Sequence, residues 1–273
     1  MLKILHKVLC EGGILQIDAS NRGGLAVSYI DELSYGEVNM IKPVLTIDDM
    51  PQENTIPIID YLLERNIRPL FFAIGEFVEQ KPEPVIYALQ KGLIVGNHTY
   101  SHANLNEVSL EEGIEEIRKC DEVLDRIYKE AGVERKVKVF RYPYLDCGGE
   151  NNKVYTDLLR DLGYKKVDDT GVIASQYISN GWKFENGTNC SFDCEEYLLR
   201  EGSDMTIEKI LANVDAAFGK EEQIKNQQHI ILIHSHDLTD EREPGYYKTI
   251  VERMLKYGTE FVEASFMDFW KLS

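Results

Sequence analysis

Residues 43–48 read PVLTID, residues 68–75 read RPLFFAIG and residues 92–98 read GLIVGNH. Each is a short apolar run, rich in β-branched or aromatic residues, and reads as a strand. Between the first two lies a helical stretch with apolar Ile58, Ile59, Leu62 and Leu63. Between the second and third, Pro84 to Lys91 reads as another helix. Strands with buried apolar faces that alternate with helices imply a parallel sheet with helices packed outside it.

The alternation continues outward from this stretch. Ser109-Leu110-Glu111-Glu112 is a capping box that opens a helix to about Glu130, with Ile114, Ile117, Val123, Leu124 and Ile127 near helical spacing. VKVFRYPY (137–144) is a strand, a helix around 152–162 stops at Gly163, and YKKV (164–167) is the next strand. A helix from Thr206 to Phe218, strand HIILIH (229–234), a helix around 245–257 and strand EFVEA (260–264) follow. Six or seven such units predict an α/β fold that closes as a barrel rather than an open sheet. Residues 1–42 lie outside the alternation. Their runs ILQIDAS and GLAVSYI flank Asn21-Arg22-Gly23-Gly24 and read as a hairpin. The chain therefore divides into an N-terminal β-rich extension, 1–42, and a barrel domain, 43–273. Residues 171–204 are loop-rich, with Gly181, Asn186-Gly187 and Ser203. They are either a functional loop or a surface insertion.

Composition narrows the function classes. The 273 residues hold 30 Lys plus Arg against 47 Asp plus Glu, a net charge of −17. Phosphate backbones and anionic membrane surfaces are repelled by such a chain, so neither nucleic acid nor membrane insertion is expected. Hydrophobic residues at 43% exclude a disordered chain. No run approaches the ~18 apolar residues of a membrane span. The start, MLKILHKVLCEGG, is broken by His6 and Lys7, too short and interrupted for a signal peptide. As written the chain is expected in the cytoplasm; a chain trimmed of a leader would look the same. The five cysteines, Cys10, Cys120, Cys147, Cys190 and Cys194, form no CxxC pair. Cys190 and Cys194 could pair in an oxidising compartment, but free thiols are the favoured reading.

The polar residues of interest fall at C-terminal ends of predicted strands, where parallel barrels build their sites. These are Asp48 and Asp49, His98 and His102, Arg141 and Tyr144, and His234 and His236. On a helical turn the i and i+4 imidazoles of His98 and His102 would share one face and could clamp a metal. The alternative is two loop histidines satisfied by hydrogen bonds. An Asp at a neighbouring strand end favours the metal, because two imidazoles and one carboxylate leave positions open for water and substrate. Successive strand residues point to opposite faces, so Asp48 and Asp49 both reach one site only if the strand ends there.

These residues resemble the motifs of the polysaccharide deacetylase family (NodB homology), metal-dependent carbohydrate esterases related to chitin and peptidoglycan deacetylases. The family's TFDDG reads here Thr46-Ile47-Asp48-Asp49-Met50. Its H(S/T)xxH is His98-Thr99-Tyr100-Ser101-His102, its RxPY is Arg141-Tyr142-Pro143-Tyr144, and its late apolar run ends at His234. The resemblance covers about 43–270 and implies a distorted (β/α) barrel of about seven parallel strands. It implies that Asp49, His98 and His102 bind a divalent metal, commonly zinc, and that Asp48 is the general base. Arg141 would orient Asp48, the Tyr144 backbone N–H would help hold the oxyanion, and His234 would be the general acid. The implied reaction is hydrolytic removal of acetyl groups from N-acetylated carbohydrate.

General chemistry supports that scheme. A metal polarises a carbonyl and lowers the pKa of water toward ~7. An Arg beside a carboxylate keeps it ionised, and a near-neutral His suits amine protonation. The sequence also departs from the family pattern. Met50 stands for a Gly, which disfavours a positive φ there, and Leu145 stands where Gly is frequent. The family's fourth motif contains Asp-Trp and tunes the acid His. The nearest match is Asp193-Cys194, with Asp168, Asp169 and Trp182 as rivals. His236 and Asp237 read as a polar loop. Tyr100, Tyr142, Tyr144 and Trp182 could form a sugar-binding surface, with Tyr144 the preferred site-lining residue. Three other readings stay open: an O-acetyl carbohydrate esterase, a metal-free cyclic amide hydrolase on the same fold, and a non-catalytic carbohydrate-binding protein.

Overall fold

A computed structural model describes residues 42–172, 174, 177, 179–181, 186–219, 228–235 and 243–269, with three strands before them. The chain falls into two units, Met1–Met40 and Ile41–Ser273. In the first, strands β1 (Leu5–Cys10), β2 (Gly13–Asp18) and β3 (Ala26–Asp31) form an antiparallel sheet in that order. The expected hairpin is the β2–β3 pair, in which Asp18 faces Ala26. The turn at Asn21–Gly24 lies outside the described residues.

The second unit is an α/β fold. Its strands are β4 (Val44–Met50), β5 (Leu70–Ala73), β6 (Ile94–Asn97), β7 (Lys138–Val139), β8 (Tyr164–Val167), β9 (Phe192–Asp193), β10 (Ile230–His234) and β11 (Phe266–Met267). Its helices are α1 (Thr55–Leu63), α2 (Gly75–Gln80), α3 (Glu83–Gln90), α4 (Leu110–Glu130), α5 (Asn152–Asp161), α6 (Ile207–Phe218) and α7 (Tyr246–Leu255). Five parallel strands pair in the order β6-β5-β4-β10-β9. A parallel bridge from Asn97 to Phe140 carries the wall on to β7, which pairs in parallel with β8. Seven parallel strands therefore follow one another around the wall. The exception is β11, antiparallel to β8. The stretch 260–264 makes no ladder. Its Val262 N–H donates to Pro43 O, 3.0 Å, and pairing begins only beyond Ser265.

Side-chain parity decides what reaches the inside. On β4, Leu45 and Ile47 pack with Ile231 and Ile233 of β10 in the core that includes residues of α1, α3, α4, α6 and α7. Val44, Leu70, Phe72 and Ile230, of the opposite parity, form a separate cluster with Val139 and Val167. Asp48 and His234 continue that second parity, and the parallel register sets them side by side. Helix α4 starts where its capping box requires: the Glu112 N–H donates to Ser109 Oγ, 3.2 Å, and the Ser109 N–H to Glu112 Oε2, 3.0 Å. Among the described residues no helix is long and apolar enough to cross a membrane. Cys120, Cys190 and Cys194 are buried free thiols.

Candidate active site

Asp48 and Asp49 both reach the site, although β4 does not end before them. The β4–β5 register shifts between Ile47 and Met50, and Asp49 takes a left-handed φ of 65°. This irregularity turns a side chain that simple alternation would send to the other face. Asp48 Oδ2 and Asp49 Oδ1 each lie 3.5 Å from His98 Nε2, and Asp49 Oδ1 lies 3.4 Å from His102 Nε2. Met50 takes no positive φ, as expected of a residue standing in place of Gly; the left-handed residue is its neighbour Asp49. Leu145 does take the left-handed turn, φ 57°, as does Tyr144 at 59°. Non-glycine residues in this region store strain, and such residues cluster at functional sites.

His98 and His102 do not sit on a helical turn. They flank a loop in which Thr99 and His102 have φ of 64° and 62°. The two rings still meet, with centroids 4.9 Å apart. Backbone bonds hold the loop at the C-terminal end of β5: His98 N–H donates to Ala73 O, 3.0 Å, and Gly75 N–H to Thr99 O, 3.0 Å. His98 Nδ1 lies 2.9 Å from the Arg141 carbonyl, which can only accept, so Nδ1 carries the proton and Nε2 presents a lone pair toward the aspartates. Burial pushes the pKa of His98 down, and that of His102 down to about 4. Both rings are therefore neutral donors at pH 7.

Asp48, Arg141 and Thr46 form a buried unit behind these donors. Arg141 NH1 donates to Asp48 Oδ1, 2.7 Å, and to Thr46 Oγ1, 2.8 Å, while its Nε donates to Thr188 O, 2.8 Å. Its guanidinium carbon stands 4.5 Å from the Phe72 ring centre. Burial would raise the Asp48 pKa. Arg141, with His98 and His234, more than offsets this and holds the carboxyl below its usual value. The 186–190 segment takes part, because Thr188 N–H donates to Phe140 O, 2.8 Å, and Val167 N–H to Thr188 Oγ1, 3.2 Å. The loop-rich region therefore props up Arg141.

The same region builds the surroundings of His234. His234 Nδ1 lies 3.0 Å from Glu196 Oε1, and the His234 backbone N–H also donates to that oxygen. The Tyr197 ring centre is 5.0 Å from that of His234. Burial would lower the His234 pKa, but Glu196, Asp49 and Asp48 raise it to about 10. Beside Asp193 the structure brings a second acidic residue to His234, Glu196, followed by Tyr197; donor atoms of Asp193, Glu196 and His234 lie within 4.8 Å of one another. Asp193 lies nearby. Its Oδ1 accepts from the Glu195 N–H, 2.9 Å, and burial, with Glu196 nearby, raises its pKa to about 6. Of the rivals, Asp169 pairs with Lys166 at 2.7 Å and Asp168 caps Thr170. Trp182, His236 and Asp237 lie outside the described residues.

One cleft of about 670 Å³ is lined by Asp48, Asp49, His98, His102, Asp193 and His234. Its size suits a ligand site. Tyr144, 64% exposed, stands at its rim with its ring 4.8 Å from His102. Tyr197 and Arg200 also line it, and the sequence reading missed both along with Glu196. Tyr142 is buried, and Tyr100 is tied to Glu79, 2.9 Å. The donor atoms of Asp49, His98 and His102 lie within 4.8 Å of one another. One carboxylate oxygen and two neutral imidazole nitrogens at that spacing fit a divalent cation.

The polysaccharide deacetylase family model matches residues 37–167. A peptidoglycan-N-acetylglucosamine deacetylase of Bacillus cereus is 36% identical over 118 residues, 41% of this chain and 43% of that protein. A chitin deacetylase of Colletotrichum lindemuthianum is 28% identical over 170 residues, 57% of this chain and 64% of that protein. The chain thus spans less than two thirds of the length of these relatives. The crystal structure of the Bc1960 peptidoglycan N-acetylglucosamine deacetylase superposes with a TM-score of 0.59 at 25% identity, covering 84% of this chain and 88% of that one.

Proposed function

We propose that this chain, a member of the polysaccharide deacetylase family, hydrolyses acetyl groups from N-acetylated sugars with a divalent metal, zinc the favoured ion. The observation that carries this reading is the division of labour within one cleft. Two neutral imidazoles stand beside Asp49, while a third, His234, is held cationic by Glu196. Metal-assisted amide hydrolysis can use both kinds of histidine, neutral ones to hold the cation and a cationic one to protonate the leaving amine.

Asp49, His98 and His102 would hold the cation, which when bound supplies Lewis-acid polarisation of the acetyl carbonyl and a more acidic water. Asp48 is the base. Arg141 engages its Oδ1 and keeps it ionised, leaving Oδ2 to accept the proton of the attacking water. The Tyr144 backbone N–H would donate to the oxyanion that forms on the acetyl oxygen. His234 is the acid. Glu196 engages Nδ1, so Nε2 is the nitrogen that gives its proton to the departing amine as the C–N bond breaks. Acetate and a free amino sugar result. Asp193 is a neighbour of the acid. Tyr197 and Tyr144 offer ring faces to a sugar.

The test pairs metal analysis of the purified protein with acetate release from N-acetylglucosamine oligomers and from acetylated xylan. About one equivalent of divalent metal and faster release from the N-acetyl substrate are expected. Faster release from xylan would make the chain an O-acetyl esterase. Metal without release from either would make it a carbohydrate-binding protein, and release without metal a metal-free amide hydrolase.

A further inference from the structure

Asn97, the last residue of β6, is fully buried and adjoins His98, yet it faces away from the cleft. Its carboxamide is satisfied on three sides. Oδ1 accepts the Thr99 N–H, 2.8 Å, while Nδ2 donates to Ile117 O and to Tyr164 Oη, each 2.9 Å. The orientation has no alternative: Ile117 O can only accept, and the Thr99 N–H can only donate. Tyr164 in turn gives its one proton to Asp121 Oδ1, 2.7 Å, and so must accept from Asn97. Asp121 is itself held by Arg135 NH1, 2.7 Å, and Lys138 Nζ, 2.8 Å. A continuous chain of bonds therefore runs from α4 and the start of β7, through β8, to the N–H of Thr99.

Thr99 is the residue that needs holding. It is β-branched, it is fully buried, and its φ is 64°, a conformation such residues rarely adopt. The turn it makes sets where His102 stands relative to His98. Resting on the reading of Asp49, His98 and His102 as cation donors, we propose that Asn97 is a positioning residue for the metal site. Its carboxamide holds Thr99 in the left-handed turn, and the Tyr164–Asp121 anchor holds the carboxamide. Residues behind metal ligands typically carry about 10- to 100-fold of metal affinity.

The experiment measures zinc affinity of the full chain by competition with a chromophoric chelator. Far-UV circular dichroism of the metal-free protein serves as the folding control. Asn97→Ala is expected to weaken zinc by about tenfold or more, and saturating zinc should restore most of the turnover. Glycine adopts the left-handed turn without cost. In a Thr99→Gly background the added loss from Asn97→Ala should therefore shrink to about threefold or less, about 0.65 kcal/mol by RT ln 3. A purely structural role for Asn97 would leave the loss the same in both backgrounds, and that result overturns the proposal. So does equal zinc affinity of wild type and Asn97→Ala. If Asn97→Ala does not fold, Tyr164→Phe leaves every atom of residues 97–102 in place. It should still weaken zinc, by roughly threefold or more, and unchanged affinity there overturns the anchor. A folded wild type without zinc affinity refutes the metal reading itself, a result separate from all of these.

Discussion

His98 and His102 on one side of the cleft, and His234 on the other, are the same residue in opposite charge states. All three are removed from water. Burial alone drives an imidazole toward its neutral form, and His102 falls to about 4. His234 is driven the other way, to about 10, because Glu196 sits against its Nδ1. Asp49 does not do the same for His98 and His102. Its Oδ1 is 3.4–3.5 Å from both rings, and the two rings oppose each other's protonation. A ring hydrogen-bonded to a carboxylate of its own makes an acid; two rings whose Nε2 atoms stand 3.4–3.5 Å from Asp48 and Asp49 make a donor set.

The largest effects should come from breaking the donor side. His98→Ala should remove most of the bound metal and most of the activity, read by metal stoichiometry and acetate release. Unchanged stoichiometry would refute the ligand assignment. Asp48→Asn should keep the metal but lower turnover by roughly 10²–10⁴-fold, the usual worth of a general base. If it loses metal while staying folded, the roles of Asp48 and Asp49 are exchanged. On the acid side, His234→Ala should slow amide hydrolysis by roughly 10²–10⁴-fold and ester hydrolysis less, because an amine needs the proton more than an alcohol does. Rates on matched N-acetyl and O-acetyl sugars decide it, and equal small losses would remove His234 as the acid.

The two sides differ in how far the sequence exposes them. Asp48, Asp49, His98, Arg141 and His234 follow apolar strands, so strand counting and parity lead to them. The details that make the site work are tertiary. Residue alternation argues against both aspartates facing one cleft; the register shift after Ile47 and the positive φ of Asp49 permit it. The i, i+4 spacing suggests a helix, whereas left-handed Thr99 and His102 bring the imidazoles together in a loop. Glu196 was hidden for another reason. It lies in an irregular stretch without periodicity, where the nearer match Asp193-Cys194 drew the assignment. Only its burial against β10 singles it out from the adjacent Glu195. A signal was present in Glu196-Tyr197 itself, an acidic residue followed by an aromatic one, the same order as Asp-Trp.

The subtlest expected effect isolates Glu196. Glu196→Gln keeps a hydrogen-bonding group of similar size beside His234 but removes the charge. Burial then acts on the ring without its counterweight, so the His234 pKa should drop from about 10 to below the ordinary 6.5. At pH 8 the variant should hold little acid form and turn over slowly, yet it should recover as the pH is lowered. The alkaline limb of kcat/KM should move down by more than one pH unit. Asp193→Asn should move it less, because Asp193 bonds the Glu195 N–H and not the ring. Stability carries the same sign. A folded pKa above the unfolded 6.5 gives a contribution that is complete below pH 6.5 and lost as the pH rises through about 10. The melting-temperature advantage of wild type over Glu196→Gln should accordingly be largest near pH 6 and smallest near pH 10. If instead the alkaline limb stays in place in Glu196→Gln and moves in Asp193→Asn, then Asp193 sets the charge of the acid.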